Sequence, residues 1–380
     1  MMIRIEEVIL HHISMQLKAP FETSFGVESD RQCLIVEAHS EGLTGWGECV
    51  AGELPGYSYE TADTAWQVLS QCFIPGVLGR YLESAGQLQQ ALAAFRGHPM
   101  ARAGLEMALW DLAGKLGQVS LASMLGGTRL RVPVGVSIGI MPDAHVLLQQ
   151  VEGYLKAGYR RIKLKIKPGR DVEEVRVIRQ AYHDLALQVD ANSSYRLDQS
   201  QVFMHLDRFG LLLIEQPLAD DDLVDHSRLQ AQLRTPICLD ESILSARHAR
   251  QALELDSCRA INIKAGRVGG LSEAVAVHDL CLDYHVPVWC GGMLETGVGR
   301  ASNLALASLP GFVLPGDISA SERYYSRDIA EPAFMLNDDS TIDVPQGMGL
   351  GVVVDRRALR KFTLRCSRQR ASGRSIRRRF

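Results

Sequence analysis

The sequence predicts an α/β protein, a parallel (β/α) barrel preceded by an α+β region. Three observations carry this. Short apolar runs recur from about residue 131, with segments of helical character between most of them. Eight such runs are present, and eight is the count that closes a barrel. Charged residues stand near the C-terminal ends of five consecutive runs, at nearly constant spacing.

Residues 1–125 read as α+β. Strand-like runs at 2–17, 32–39 and 43–50 are followed by helical patterns. The clearest helix is 101–117, with Leu105, Ala108, Leu109 and Leu112 on one face. The later runs are 132–140, 161–166, 185–192, 211–217, 236–242, 260–266, 287–293 and 312–317. Strands alternating with helices indicate a parallel sheet. An open doubly wound sheet wants a Gly-rich first turn, and no G-x-G-x-x-G follows any of these runs.

Composition narrows the class. The chain is 46% hydrophobic and 22% charged, enough to bury a core. No apolar run reaches the roughly 18 residues that span a membrane. The first 17 residues carry acids and histidines inside their apolar stretch, unlike a signal peptide. Eight cysteines lack zinc spacing and read as reduced thiols of a cytoplasmic protein. The net charge of −3 hides an asymmetry: residues 356–380 hold eleven Lys and Arg and no acid, which leaves −14 on the rest. Such a tail could bind nucleic acid or anionic lipid. With few large apolar residues it is expected to be a disordered, dispensable appendage, so no nucleic-acid or membrane partner is expected.

The charges carry the chemistry. Lys165, Asp190, Glu215 and Asp240 are each 25 residues apart, and Lys264 follows 24 later. In barrels the C-terminal strand ends carry the active site. A parallel strand covered on both faces is nearly continuous in apolar residues, so a charge there needs a partner or a purpose. A lone Asp after a strand is often only a helix N-cap. Five charges in register, Glu and Lys among them, are not explained that way. Three carboxylates on adjacent strands cannot sit together unpaired. A divalent cation resolves the conflict, and a donor set without Cys or His points to magnesium, with manganese as its substitute, rather than zinc.

Lys165 and Lys264 lie four strands apart of eight, so their amines face each other across the barrel mouth. A substrate carboxylate on the metal would place its α-carbon between them. One lysine takes the α-proton, the metal stabilises the enediolate, and the other lysine returns a proton or stabilises the charge. The alternation in "RIKLKI" (161–166) puts Lys163 on the face of Lys165. A like charge two residues away and a nearby dication favour the neutral amine that a general base needs. Arg267, one helical turn beyond Lys264, is expected to act on it in the same way. Lys167 falls beyond the strand and is expected in solvent.

"KLK" (163–165), "VDAN" (189–192), "IEQP" (214–217), "CLDES" (238–242) and "NIKAG" (262–266) resemble the enolase superfamily, in its muconate-lactonizing-enzyme-like subgroup. Within it, residues 287–310, 314–325 and "KAPFETSFG" (18–26) are similar to the o-succinylbenzoate synthase / N-succinylamino acid racemase family. The resemblance runs to about residue 355. It implies a (β/α)7β barrel over 126–325 and an α+β capping domain over 1–125. A segment over 326–355 would return to the cap, with the basic tail over 356–380 outside the pattern. It implies Lys163 and Lys165 as the K-x-K pair, Asp190, Glu215 and Asp240 as metal ligands, and Lys264 as the opposing lysine. Ser137 and Asn192 would line the pocket, and Phe21, Gly292, Met293 and Arg267 are expected among the substrate contacts. Cap loops 21–26 and 51–59 are expected to close over the mouth. One departure is Ala265, where the family usually has Pro.

The implied activity is magnesium-assisted dehydration of 2-succinyl-6-hydroxy-2,4-cyclohexadiene-1-carboxylate in menaquinone biosynthesis. Racemisation of N-succinyl- or N-acylamino acids would accompany or replace it. Both reactions need the same residues, so the sequence leaves them open. A dipeptide epimerase or muconate cycloisomerase is the alternative. An epimerase would be expected to carry D-x-D after the eighth strand, and this chain has Asp317 but Ser319. A barrel kept only for binding would have lost a ligand or a lysine. A Schiff-base aldolase would not need three carboxylates. The expected partner is a small-molecule carboxylate, bound by a cytoplasmic homo-oligomer.

Overall fold

The computed structural model describes residues 2–371. The cap is built on three long antiparallel strands, β1 (Glu7–Thr23), β2 (Gly26–Ser40) and β3 (Leu43–Cys49). The β1–β2 hairpin turns at Ser24 and Phe25, pairing Thr23 with Gly26. The 21–26 loop expected from sequence is therefore the tip of a hairpin. Helix Pro99–Gly117 opens with Pro at its first position, where a missing N–H costs nothing. It packs backbone to backbone on β3: a Cβ on Gly45 or Gly47 would lie 2.1 Å from a helix carbonyl oxygen. That approach is why most of the helix circumference is buried rather than one stripe.

Seven parallel strands follow in sequential order: β4 (Val136–Ile138), β5 (Arg161–Lys165), β6 (Ala186–Asp190), β7 (Ile214–Glu215), β8 (Ile237–Leu239), β9 (Ala260–Ile263) and β10 (Val288–Cys290). Helices such as Ala144–Lys156, Val172–Ala181 and Leu271–Asp283 connect them and cover the sheet. Both faces of the strands are buried, as a parallel sheet requires. Each fully buried Val, Ile or Leu contributes about 1.5–3 kcal/mol.

The eighth run, 312–317, is not a regular strand. It closes the curled sheet through isolated parallel bridges, Phe312 to Val288 on one edge and Gly316 to Val134 on the other. Pro310 and Pro315 cannot donate to a ladder, which explains why the pairing stays piecemeal.

The beginning of the basic tail is ordered, contrary to expectation. Arg356–Phe362 is a helix capped by Asp355, and β11 (Thr363–Arg370) adds to the cap sheet antiparallel to β1. Several of its arginines are paired while remaining in contact with solvent. Arg356 meets Glu37 at 2.7 Å, Arg368 and Arg370 meet Glu7 at 3.1 and 2.9 Å, and Arg365 pairs with Asp63. Arg356 and Arg365 also stack over Trp46 and Trp66. Residues 372–380 lie outside the described residues. Among the described residues no helix is long and apolar enough to cross a membrane, and all eight cysteines are free thiols.

Candidate active site

The 25-residue period has a direct structural meaning. Lys165 pairs with Asp190 across β5–β6, and Asp190 pairs with Glu215 across β6–β7, so the three stand in one row. Asp240 and Lys264 lie one residue past the ends of β8 and β9. All five are at the C-terminal rim. The backbone there is unusual: Asn192 and Gln216, just after β6 and β7, have φ of 43° and 36°. Such left-handed conformations cost energy in non-glycine residues and cluster at functional sites.

A cavity of about 410 Å³ opens above this rim, walled by the cap on one side and the barrel on the other. Lys163, Lys165, Lys264, Ser137, Asn192, Gly292, Met293 and Phe21 all line it. The Ser137 hydroxyl is buried and has no protein partner. Arg267 does not reach this cavity. It lines a neighbouring one of about 300 Å³ and is fully buried, not a surface ion pair.

Beneath the amines lie the carboxylates, all essentially without solvent exposure. Lys165 Nζ donates to Asp190 Oδ2 at 2.7 Å and to Asn192 Oδ1 at 2.6 Å. Lys264 Nζ donates to Asp240 Oδ2 at 2.7 Å, while Arg267 and the Tyr57 hydroxyl take Oδ1. Arg267 is thus the like-charge neighbour of Lys264, joined to it through one carboxylate. Lys163 Nζ is shared among Asp190 at 3.0 Å, Glu215 at 2.8 Å and Asp317 at 2.6 Å. Burial alone would lower the pKa of Lys163, but these three carboxylates override it and hold the amine charged, well above the ordinary lysine value. Burial likewise opposes the charge on Lys264, and Asp240 again prevails.

The carboxylates respond to one another. Burial and the charge of Asp190 push Glu215 up, to about 8. Burial works against Asp190 too, but Lys165 and Lys163 hold it below its usual range. Among the described residues no three His, Cys, Asp or Glu side chains stand as a preformed metal cage, and the carboxylate oxygens are engaged by amines. The donor set nevertheless suits a hard divalent cation: it is all oxygen, deeply buried and mutually repulsive. Two further oxygens at the same rim, Glu241 Oε2 and Asn262 Oδ1, are buried without a hydrogen-bond partner.

Five contributors were not singled out as site residues from sequence. Asn262 donates to Glu215 Oε1 at 2.7 Å, and Glu241 accepts from Asn192 at 2.8 Å. The first could have been found by period two, since it shares a strand face with Lys264. Asp317, on the irregular eighth run, joins Lys163 to Arg161, whose Nη1 lies 2.7 Å away. Tyr57, on cap loop 51–59, stacks its ring 4.1 Å from Lys264 Nζ. No local pattern announces that contact.

A family model described as mandelate racemase / muconate lactonizing enzyme, N-terminal domain, matches residues 5–126, and one described as enolase C-terminal domain-like matches 146–358. The chain belongs to the enolase superfamily. It is 52% identical to an o-succinylbenzoate synthase of Geobacillus kaustophilus, over 96% of this chain and 97% of that one. It is 50% identical to an N-succinylamino acid racemase of Amycolatopsis, over 92% of this chain and 95% of that one. The crystal structure of an enolase-superfamily member from Listeria innocua superposes with a TM-score of 0.93 at 41% identity, covering 97% of this chain and all of that one. A hydrophobic dipeptide epimerase of Enterococcus faecalis is more distant, at 28% identity over 80% of this chain. Enolase-superfamily members of this type are metal-dependent enzymes.

Proposed function

We propose that this enolase-superfamily member is an o-succinylbenzoate synthase that also racemises N-succinylamino acids. One observation carries the reading: two amines, Lys165 and Lys264, line one cavity, each held by a different carboxylate of a buried triad. Relatives at about half identity with either name support both activities on one site.

Asp190, Glu215 and Asp240 would hold magnesium, which supplies Lewis-acid stabilisation of the charge that develops when an α-proton leaves a carboxylate substrate. Lys165 removes the α-proton. In the dehydration the hydroxyl then departs as water, taking up that proton, and Lys264 stays a cation facing the developing charge. In the racemisation Lys264 delivers a proton to the opposite face, and the reverse reaction exchanges the two roles. Asn192 fixes the direction of Lys165 Nζ, and Tyr57 with Arg267 fixes Asp240 and through it Lys264. Phe21, Met293 and the cap loops exclude water from the site. Ser137, with its unpaired hydroxyl, is placed to take a polar group of the substrate. The partner is a small-molecule carboxylate in the cytoplasm, and the working form is a homo-oligomer.

The test is turnover of the cyclohexadiene precursor and of an N-succinylamino acid, side by side, with magnesium. Turnover of both supports the reading, and turnover of only one removes the other activity from it. Turnover of neither, with a dipeptide or a muconate accepted instead, overturns it.

A further inference from the structure

We propose that Glu48, a cap residue outside the cavity, is a positioning residue for the Lys264 side of the site, acting through the barrel loop 291–296. This rests on the two-lysine reading above.

Glu48 lies near the end of β3 with no solvent exposure. A buried carboxylate is costly unless its oxygens are satisfied. Here three donors reach it from across the domain boundary. Thr296 Oγ1 donates at 2.6 Å, the Thr296 N–H at 3.2 Å and the Gly299 N–H at 3.0 Å. Thr296 is the N-cap of helix Gly297–Ala307, so the carboxylate also meets the positive end of the helix dipole. The fit is tight: a Cβ on Gly299 would lie 2.8 Å from Glu48 Oε2.

The run before this anchor is rigid up to the lysine. Glu295 accepts from the Met293 N–H and from Asn303 Nδ2, each at 2.8 Å. The Tyr325 hydroxyl donates to the Leu294 carbonyl at 2.5 Å. Gly291 backs directly onto the lysine stem, since a Cβ there would lie 2.6 Å from Lys264 Cε. The same cap strand braces Lys264 a second time. Val50, two residues past Glu48, packs on Gly266, two residues past Lys264; a Cβ on Gly266 would lie 2.3 Å from it.

Lys165 is not reached from Glu48. Its partners, Asp190 and Asn192, are both barrel residues, and the cap contact to Asn192 comes from Ser24 at the hairpin tip, at 3.3 Å. Loosening Glu48 therefore disturbs one amine and spares the other. A merely structural role would affect both.

The experiment is α-proton exchange of each enantiomer of an N-succinylamino acid in D2O, with the full-length, magnesium-loaded protein. Glu48→Gln, Thr296→Val and Thr296→Ser are compared with wild type, and Lys264→Ala identifies the enantiomer that Lys264 serves. Displacements on the order of 1 Å cost up to about 100-fold in rate. Glu48→Gln and Thr296→Val are expected to slow exchange of the Lys264 enantiomer about tenfold or more, and that of the other less than about twofold. Thr296→Ser restores the hydroxyl and the rate. Equal slowing of both enantiomers, or of neither, overturns the proposal. Should Glu48→Gln fail to fold, Thr296→Val carries the comparison with the loss of a single hydroxyl. Peptide-level hydrogen–deuterium exchange gives an answer independent of substrate: protection should fall across 291–303 and hold across 163–192. Unchanged protection at 291–303 overturns the positioning role, whereas a wild type that exchanges neither enantiomer counts against the racemase reading itself.

Discussion

Asp317→Ala tests whether the irregular eighth run closes the barrel electrostatically as well as sterically. Asp317 Oδ1 meets Arg161 Nη1 at 2.7 Å and Oδ2 meets Lys163 Nζ at 2.6 Å. Both cations are buried. Removing one partner of a buried pair costs about 3–5 kcal/mol, because the other charge is left uncompensated. Arg161 keeps its bonds to the carbonyls of Pro315 and Gly316, and Lys163 keeps Asp190 and Glu215. The lower end of that range, about 3 kcal/mol, is therefore expected. For a cooperative unit the size of the barrel this lowers Tm by roughly 6–12 °C. The assay is thermal unfolding followed by circular dichroism in excess chelator, so that bound metal does not compensate. A shift below about 2 °C would show that the two cations do not depend on Asp317 and that the eighth run is held by backbone bridges alone.

Three further outcomes follow from the same geometry. Chelation abolishes turnover and magnesium or manganese restores it, while Asp190→Asn, Glu215→Gln and Asp240→Asn each weaken manganese binding measured by titration calorimetry; full activity in excess chelator would refute the metal assignment. Deleting residues 363–380 strips β11 from β1 and should lower Tm by several degrees, whereas an unchanged melt would mean that the paired arginines contribute nothing. Burial works against the charge on Glu37, but His11 and Arg356 hold it down at about 2; a depressed carboxylate stabilises the fold above its unfolded value near 4.5 and loses that contribution as pH falls toward 2, so Glu37→Gln should flatten stability against pH in that window, read by urea unfolding, and an unaltered slope would contradict it.

How much of this was legible in the sequence depended on locality. The barrel and its row of charges were readable because each strand–helix unit repeats at nearly constant length, so register in the sheet becomes spacing in the chain. Lys165, Asp190 and Glu215 are direct sheet neighbours for that reason. Asp317 and Arg161 were not readable as a pair, since 156 residues separate them and the run that carries Asp317 is broken by Pro315. Tyr57 reaches Asp240 across 183 residues from an irregular loop. The error over the basic tail has a different cause. Its docking rests on a backbone ladder with β1, on two buried residues, Ala358 and Leu359, and on ion pairs and stacking with Glu7, Glu37, Asp63, Trp46 and Trp66, about 300 residues away or more. A pattern search for core residues does not see such contacts.

The central claim is that Lys165 and Lys264 address opposite faces of one substrate carbon. Its most direct test is α-proton exchange in D2O, measured by NMR for each enantiomer of an N-succinylamino acid with Lys165→Ala and Lys264→Ala. Each variant should exchange one enantiomer only, without inverting it, and the two variants should retain opposite enantiomers. Exchange of the same enantiomer by both variants, or of both enantiomers at wild-type rate by either, would contradict the account.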